Sequence, residues 1–237
     1  MVTTSARARS SIVRRTRTVI TDRCDTRGVS ERTPATGRPT AVVFDLGGVL
    51  IDWDPRHLYR KLFEDEVEME AFLASVVTPE WNLEQDRGRP FAEGVAQLRD
   101  RYPERAELID AYWTRWPEML GDAHRDTVAI LAELRATGAR LLAITNWSAE
   151  TFHHAPGRYP FLAWFEGVLV SGEVGLVKPD PAIFRLLIER HDVEPGRTVF
   201  IDDSLANVRA AAALGFRAIH FVGAPRLREE LVGIGLL

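Results

Sequence analysis

One cysteine, Cys24, occurs in 237 residues. No intramolecular disulfide can form, and a reducing, cytoplasmic setting is expected. No apolar run approaches the ~20 residues of a membrane-spanning helix, so no membrane partner is expected. The first forty residues contain no apolar core of a secretory signal. Acid is scarce there: residues 1–39 hold nine Arg against Asp22, Asp25 and Glu31. That segment therefore carries +6, and the rest carries −10 within a total of −4. Rich in Ser, Thr and Arg and without sustained periodicity, residues 1–39 read as a disordered basic tail. An organellar transit peptide and a nucleic-acid-binding arm are the alternatives. An inert tail is preferred, and no nucleic-acid partner is expected. Internal repeats are absent. His153, His154 and His191 lack metal-ligand partners and read as surface residues.

What is present is ordinary for a soluble globular protein, with 46% hydrophobic and 27% charged residues. The length allows one large domain, or a core domain with an insertion. Ala41-Val42-Val43-Phe44 is a short apolar run ending at Asp45 and followed by Gly47-Gly48. It reads as a buried parallel strand with a carboxylate at its carboxyl end, where open α/β sheets place their ligand crevices.

Residues 56–120 then lack any strand pattern. Asp54-Pro55 opens a helix through Leu58, Leu62 and Phe63. Further helices are expected at about 65–77, 90–102 (Phe91, Val95 and Leu98 on one face) and 104–116. Trp81, Asn82, Glu84, Asp86 and Arg87 fall in a polar loop between them. Contact with a leaving group and a plain connecting turn are both open there. Trp113, Trp116 and Trp147 read as core aromatics.

From Asp122 helix and strand alternate: helix 122–137 ending at Gly138, strand 140–145, a helical stretch near 148–165 and strand 167–171. Helix 181–191, strand 198–201, helix 204–214 and strand 217–222 complete the series. Such alternation means βαβ units and a parallel sheet. The expected fold is α/β, a doubly wound, Rossmann-like parallel-sheet core (residues 40–54 and 121–237) with an inserted α-helical cap (55–120).

Four polar features then fall at one sheet edge: Asp45, Thr145-Asn146, Lys178 and Asp202-Asp203. Each alone has a plain reading as a turn residue, a solvated lysine or a helix cap. Together, three converging carboxylates would repel one another, which argues for a bound divalent cation and the lysine as partners.

These motifs, in this order and spacing, resemble the haloacid dehalogenase (HAD) superfamily over residues 41–223, in the subfamily whose helical cap lies between the first and second motifs. The nearest group reads Phe-Asp-Leu-Gly-Gly/Asn-Val at its first motif. It includes a sugar-phosphate phosphatase and is similar to the phosphatase domain of soluble epoxide hydrolases. The resemblance implies that Asp45 is a nucleophile forming an aspartyl-phosphate. It further implies that Thr145 and the Asn146 N–H hold phosphoryl oxygens, and that Lys178 neutralises charge. Mg²⁺ is the implied cofactor, bound by Asp45, the Gly47 carbonyl and Asp203, with Asp202 in the outer shell. The substrate class is then a small phosphorylated metabolite, a sugar phosphate among the candidates, and the protein a monomer or homodimer.

Position 47 departs from the pattern. Most phosphatases of this superfamily place a second Asp there as general acid–base, a role typically worth about 10²–10⁴-fold; glycine has no proton to give. Another group or a good leaving group could compensate, with Asp52 and Asp54 as nearby candidates. A flap-strand role for Asp52 and helix capping for Asp54 are preferred. The dehalogenases also lack this Asp, since halide needs no proton, but they resemble this chain less at the fourth motif and use no Mg²⁺. A catalytically weak binding or regulatory protein is the other alternative. The Asp202-Asp203 pair favours phosphoryl transfer.

Overall fold

The computed structural model describes residues 37–237. The reading of residues 1–39 as a basic tail falls, but for its last three residues, outside the described part. Five parallel strands form the central sheet in the order β5-β4-β1-β6-β7. They are β1 (Ala41–Phe44), β4 (Arg140–Thr145), β5 (Gly167–Val170), β6 (Thr198–Asp202) and β7 (Arg217–His220). Successive side chains of a strand point to opposite faces, and both faces of this sheet are covered. Val42, Phe44, Leu141 and Ala143 enter one apolar cluster. Ala41, Val43, Leu142 and Ile144 enter another. On the first face lie α6 (Arg125–Ala136), through Ile130, Leu131 and Leu134, and α12 (Ala224–Gly233), through Leu227 and Leu231. On the second lie α10 (Pro181–His191), through Ile183, Phe184 and Leu187, and α11 (Leu205–Ala213), through Ala211. The expected α/β doubly wound architecture is the one found. Each fully buried Leu, Ile or Phe contributes about 1.5–3 kcal/mol of transfer free energy.

Helices fill the connection after β1. They are α1 (Arg56–Tyr59), α2 (Glu66–Ser75), α3 (Pro79–Asp86), α4 (Phe91–Arg101) and α5 (Ala106–Thr114). Their buried residues Met69, Phe72, Phe91 and Tyr112 belong to the same apolar cluster as Val42 and Phe44. Two short strands bracket this segment, β2 (Ile51–Trp53) and β3 (Leu120–Ala123), paired antiparallel. Asp52 therefore does lie on a flap strand, whereas β3 departs from the expected run of helix. At four residues, including Gly121 and Asp122, it is too short and too polar to show an alternating pattern.

Several expectations need correcting. The polar stretch 81–87 is not a loop: residues 79–86 are helical, with Thr78 accepting from the Trp81 N–H (3.2 Å) and Pro79 in the first turn. Trp113 is 39% exposed, because Ile109, Tyr112 and Trp116 already occupy the buried side; its ring stacks on Phe91 instead. The stretch 148–165 breaks into α7 (Ala149–Phe152), α8 (Ala155–Arg158) and a 3-10 turn at Pro160–Trp164, since Pro156 and Pro160 cannot continue a helix. His191 is half-buried, its ring lying against Gly167, and His154 stacks on Trp116. Helix α12, beyond the last strand, was not expected.

Candidate active site

The sheet order makes β4, β1 and β6 neighbours, so the residues at their carboxyl ends meet. Asp45 stays in register, its N–H bonding the Ile201 carbonyl at 2.8 Å. Its Oδ1 accepts the Leu46 N–H at 2.7 Å. Asp202 is the last residue of β6. Lys178 arrives from the loop between α9 (Ser171–Val174) and α10, and its Nζ lies 2.8 Å from Asp45 Oδ2 and 2.7 Å from Asp202 Oδ2. All three side chains are buried.

Asp202 has little left to offer a ligand. Besides Lys178, its oxygens accept from the Ser204 N–H (2.8 Å) and from Asn207 Nδ2 (2.9 and 3.1 Å). Its carboxylate thus anchors the lysine and the start of α11 together. Asp203 is exposed, its carboxylate occupying the space into which a side chain on Gly48 would project. Gly48 has φ +71°, and a Cβ there would run into the Asp203 carboxylate, so both backbone and space require glycine. Oxygen atoms of Asp45, Asp202 and Asp203 lie within 4.8 Å of one another. The Gly47 carbonyl accepts no hydrogen bond among the described residues.

Burial pushes the Asp45 carboxyl above its ordinary range, while the adjacent Lys178 ammonium pulls it back toward the ionised form. Burial disfavours the charge on Lys178, but Asp45 and Asp202 more than offset it and keep the lysine firmly protonated.

Asp45, Gly47, Thr145, Asn146, Lys178 and Asp203 all face a cavity of 370 Å³. The Thr145 hydroxyl makes no side-chain hydrogen bond among the described residues. Asn146 holds Lys178 through its main chain, Oδ1 accepting the N–H (2.8 Å) and Nδ2 donating to the carbonyl (3.0 Å). The rest of the wall is aromatic and helical: Trp53, Trp116 and Trp147, with Asn82 and Asp86 from α3. A second cavity of 640 Å³, between β2, α2 and α3, shares Trp53 and Asn82 with the first.

The family model for haloacid dehalogenase-like hydrolases matches residues 39–215. The chain belongs to that family. Among its relatives, the sesquiterpene phosphatase astK of Aspergillus oryzae is 28% identical over 181 residues, which is 76% of this chain and 88% of astK. The D-ribitol-5-phosphate phosphatase of Bacteroides thetaiotaomicron is 24% identical over 203 residues, 81% of this chain and 97% of that enzyme. A HAD family enzyme from Bacteroides thetaiotaomicron, crystallised with magnesium and inorganic phosphate, superposes with a TM-score of 0.59 at 26% identity. That match covers 77% of this chain and 93% of the enzyme.

In this HAD-like hydrolase the structure brings every expected site residue to one sheet edge. The two nearby stand-ins for the acid missing at Gly47 are elsewhere. Asp52 is paired with His57 (2.9 Å), and Asp54 accepts the Arg56 N–H (2.8 Å) at the start of α1. Neither lines the cavity. Asn207 and Trp116 were not anticipated in it. The Thr78-Pro79 pair is a helix-start signal, and reading it would have placed Asn82 and Asp86 one turn apart on one helix face.

Proposed function

We propose that this enzyme is an Mg²⁺-dependent phosphoric monoester hydrolase acting on a small phosphorylated metabolite, a sugar phosphate among the candidates. The observation that carries this reading is the contact of Lys178 with both Asp45 and Asp202. A lysine held by two carboxylates can steady a nucleophilic Asp45 and meet the charge of an incoming phosphoryl group. Thr145 and the Asn146 N–H hold the phosphoryl oxygens, and Asp45 attacks phosphorus to form an aspartyl-phosphate that water then hydrolyses.

The residues present fit Mg²⁺, an ion that takes oxygen donors. Asp45, Asp203 and the otherwise unused Gly47 carbonyl would hold it, while Asp202, with its oxygens already engaged, stands in the outer shell. When bound, the ion supplies charge neutralisation at the phosphoryl oxygens. The helical segment 55–120 serves as the cap. Its α3 contributes to the cavity wall and excludes water from the reacting centre. Relatives named as phosphatases support the reaction class.

Hydrolysis of p-nitrophenyl phosphate with Mg²⁺ and with EDTA tests this reading. Turnover that EDTA abolishes is expected. Halide release from a 2-haloacid in EDTA, with no phosphatase activity, would instead assign a dehalogenase.

A further inference from the structure

Gly47 leaves the site without a proton donor beside the nucleophile, and the cavity itself identifies a replacement. Among the described residues, four ionisable side chains line it: Asp45, Asp86, Lys178 and Asp203. No His, Cys, Glu or Tyr does. Lys178 is bound to Asp45, and Asp203 lies at the proposed ion site, which leaves Asp86.

Asp86 stands on the wall supplied by α3, and both its carboxyl and its main chain are anchored. Asn82, one turn earlier, donates Nδ2 to Asp86 Oδ2 at 2.9 Å. Asn82 is itself fixed by the Tyr112 hydroxyl, which donates to its Oδ1 at 2.9 Å. The Ser148 N–H, from the loop after β4, favours the ionised form of the Asp86 carboxyl. The Asp86 main-chain carbonyl also accepts from the Ser171 hydroxyl, whose oxygen in turn accepts the Trp147 N–H. Asp86 is therefore tied through its carboxyl to its own helix and through its main-chain carbonyl, by way of Ser171, to the loop that follows Thr145 and Asn146. Such a rigid mount is unusual for an acid whose only task is solubility.

We propose that Asp86 is the general acid–base of this site. The inference rests on the phosphatase reading above. As Asp45 attacks phosphorus and the bond from phosphorus to the ester oxygen breaks, the protonated Asp86 gives its proton to the departing alkoxide and becomes a carboxylate. In the second half, that carboxylate takes a proton from water. The water oxygen bonds to phosphorus, the Asp45–phosphorus bond breaks, and inorganic phosphate leaves with both aspartates restored.

Burial pushes the Asp86 carboxyl up to about 7, against the Ser148 N–H, which pulls it down. Near neutral pH both protonation states are then populated, as a group that alternates between acid and base needs. The ionisable groups at hand are Asp45, Asp203 and Lys178 in the cavity and the Tyr112 phenol behind Asn82, which burial holds protonated. Glu93 on α4, Glu150 on α7 and Glu173 on α9 are exposed.

The test is kcat/KM on phosphate monoesters whose leaving groups run from p-nitrophenol through phenol to a simple alkyl alcohol, for wild type and Asp86→Asn. The amide keeps the shape and an acceptor for Asn82. The loss in the variant should grow as the leaving group becomes more basic, reaching about 10²–10⁴-fold on the alkyl ester. The same factor of loss on every ester would overturn the assignment. Wild type alone carries a second test: the ratio of its kcat/KM on the alkyl ester to that on p-nitrophenyl phosphate should fall as pH rises through about 7, because the ionisation of Asp45 is common to both esters and cancels. Identical pH profiles would also overturn it, even if the variant failed to fold. A wild type inert on every ester would instead remove the phosphatase reading, and the role of Asp86 with it.

Discussion

Asn146 grips the main chain of Lys178 in both directions, accepting from its N–H at 2.8 Å and donating to its carbonyl at 3.0 Å. The two residues are 32 apart in sequence, so this pair fixes the height at which the lysine enters the site. Asn146→Ala removes both bonds while leaving the cluster chemistry intact. We expect kcat to fall about 10²-fold from misplacement of the lysine. Urea unfolding should show a loss of about 1–3 kcal/mol for the two bonds. Wild-type kcat in this variant would show that the loop holds Lys178 without it.

Lys178→Met leaves Asp45 and Asp202 facing each other without their shared cation. Removing one member of a buried ion cluster typically costs about 3–5 kcal/mol. The urea midpoint of this variant should therefore drop well below wild type. An unchanged midpoint would mean the cluster is more hydrated than its burial indicates.

Gly48→Ala forces a side chain into the left-handed region and into the Asp203 carboxylate. The backbone alone costs about 1–2 kcal/mol. Because Asp203 must turn away, Mg²⁺ affinity measured by isothermal titration calorimetry should weaken as well. Loss of stability with undiminished affinity would place the ion elsewhere.

The raised Asp86 carboxyl also has a consequence for folding. A group with pKa about 7 in the folded state and the ordinary carboxyl value when unfolded binds its proton more tightly in the native protein. Its contribution to stability is full below about pH 4 and is lost as pH rises through about 7. In metal-free protein, wild type should lose on the order of a few kcal/mol relative to Asp86→Asn across that window. Parallel stability–pH curves would contradict the buried, protonated carboxyl.

Much of this was legible in the chain itself. The run Ala41–Phe44 with Asp45 and two glycines marked the strand and its functional end, because buried parallel strands are short, apolar and bounded. The other core strands were legible for the same reason. The β2–β3 pair was hidden because three- and four-residue strands carry no period. The exposure of Trp113 was hidden because helical spacing shows which residues share a face but not how wide the buried stripe is. At the site, the residue types were readable, but the hydrogen-bond partners were not. The grip of Asn146 on Lys178 depends on loops that only the folded sheet edge brings together. Asp86 was visible as a polar residue in the helical segment. Its place in the cavity depends on Ser171, 85 residues away in sequence.

The central claim is that Asp45 is the nucleophile. Acid quenching during turnover of p-nitrophenyl phosphate with Mg²⁺, followed by peptide mass analysis, tests it directly. One phosphoryl group should appear on the peptide bearing Asp45 and be absent from Asp45→Asn, which should also be inactive. Turnover without a labelled Asp45 peptide, together with wild-type activity in Asp45→Asn, would contradict it.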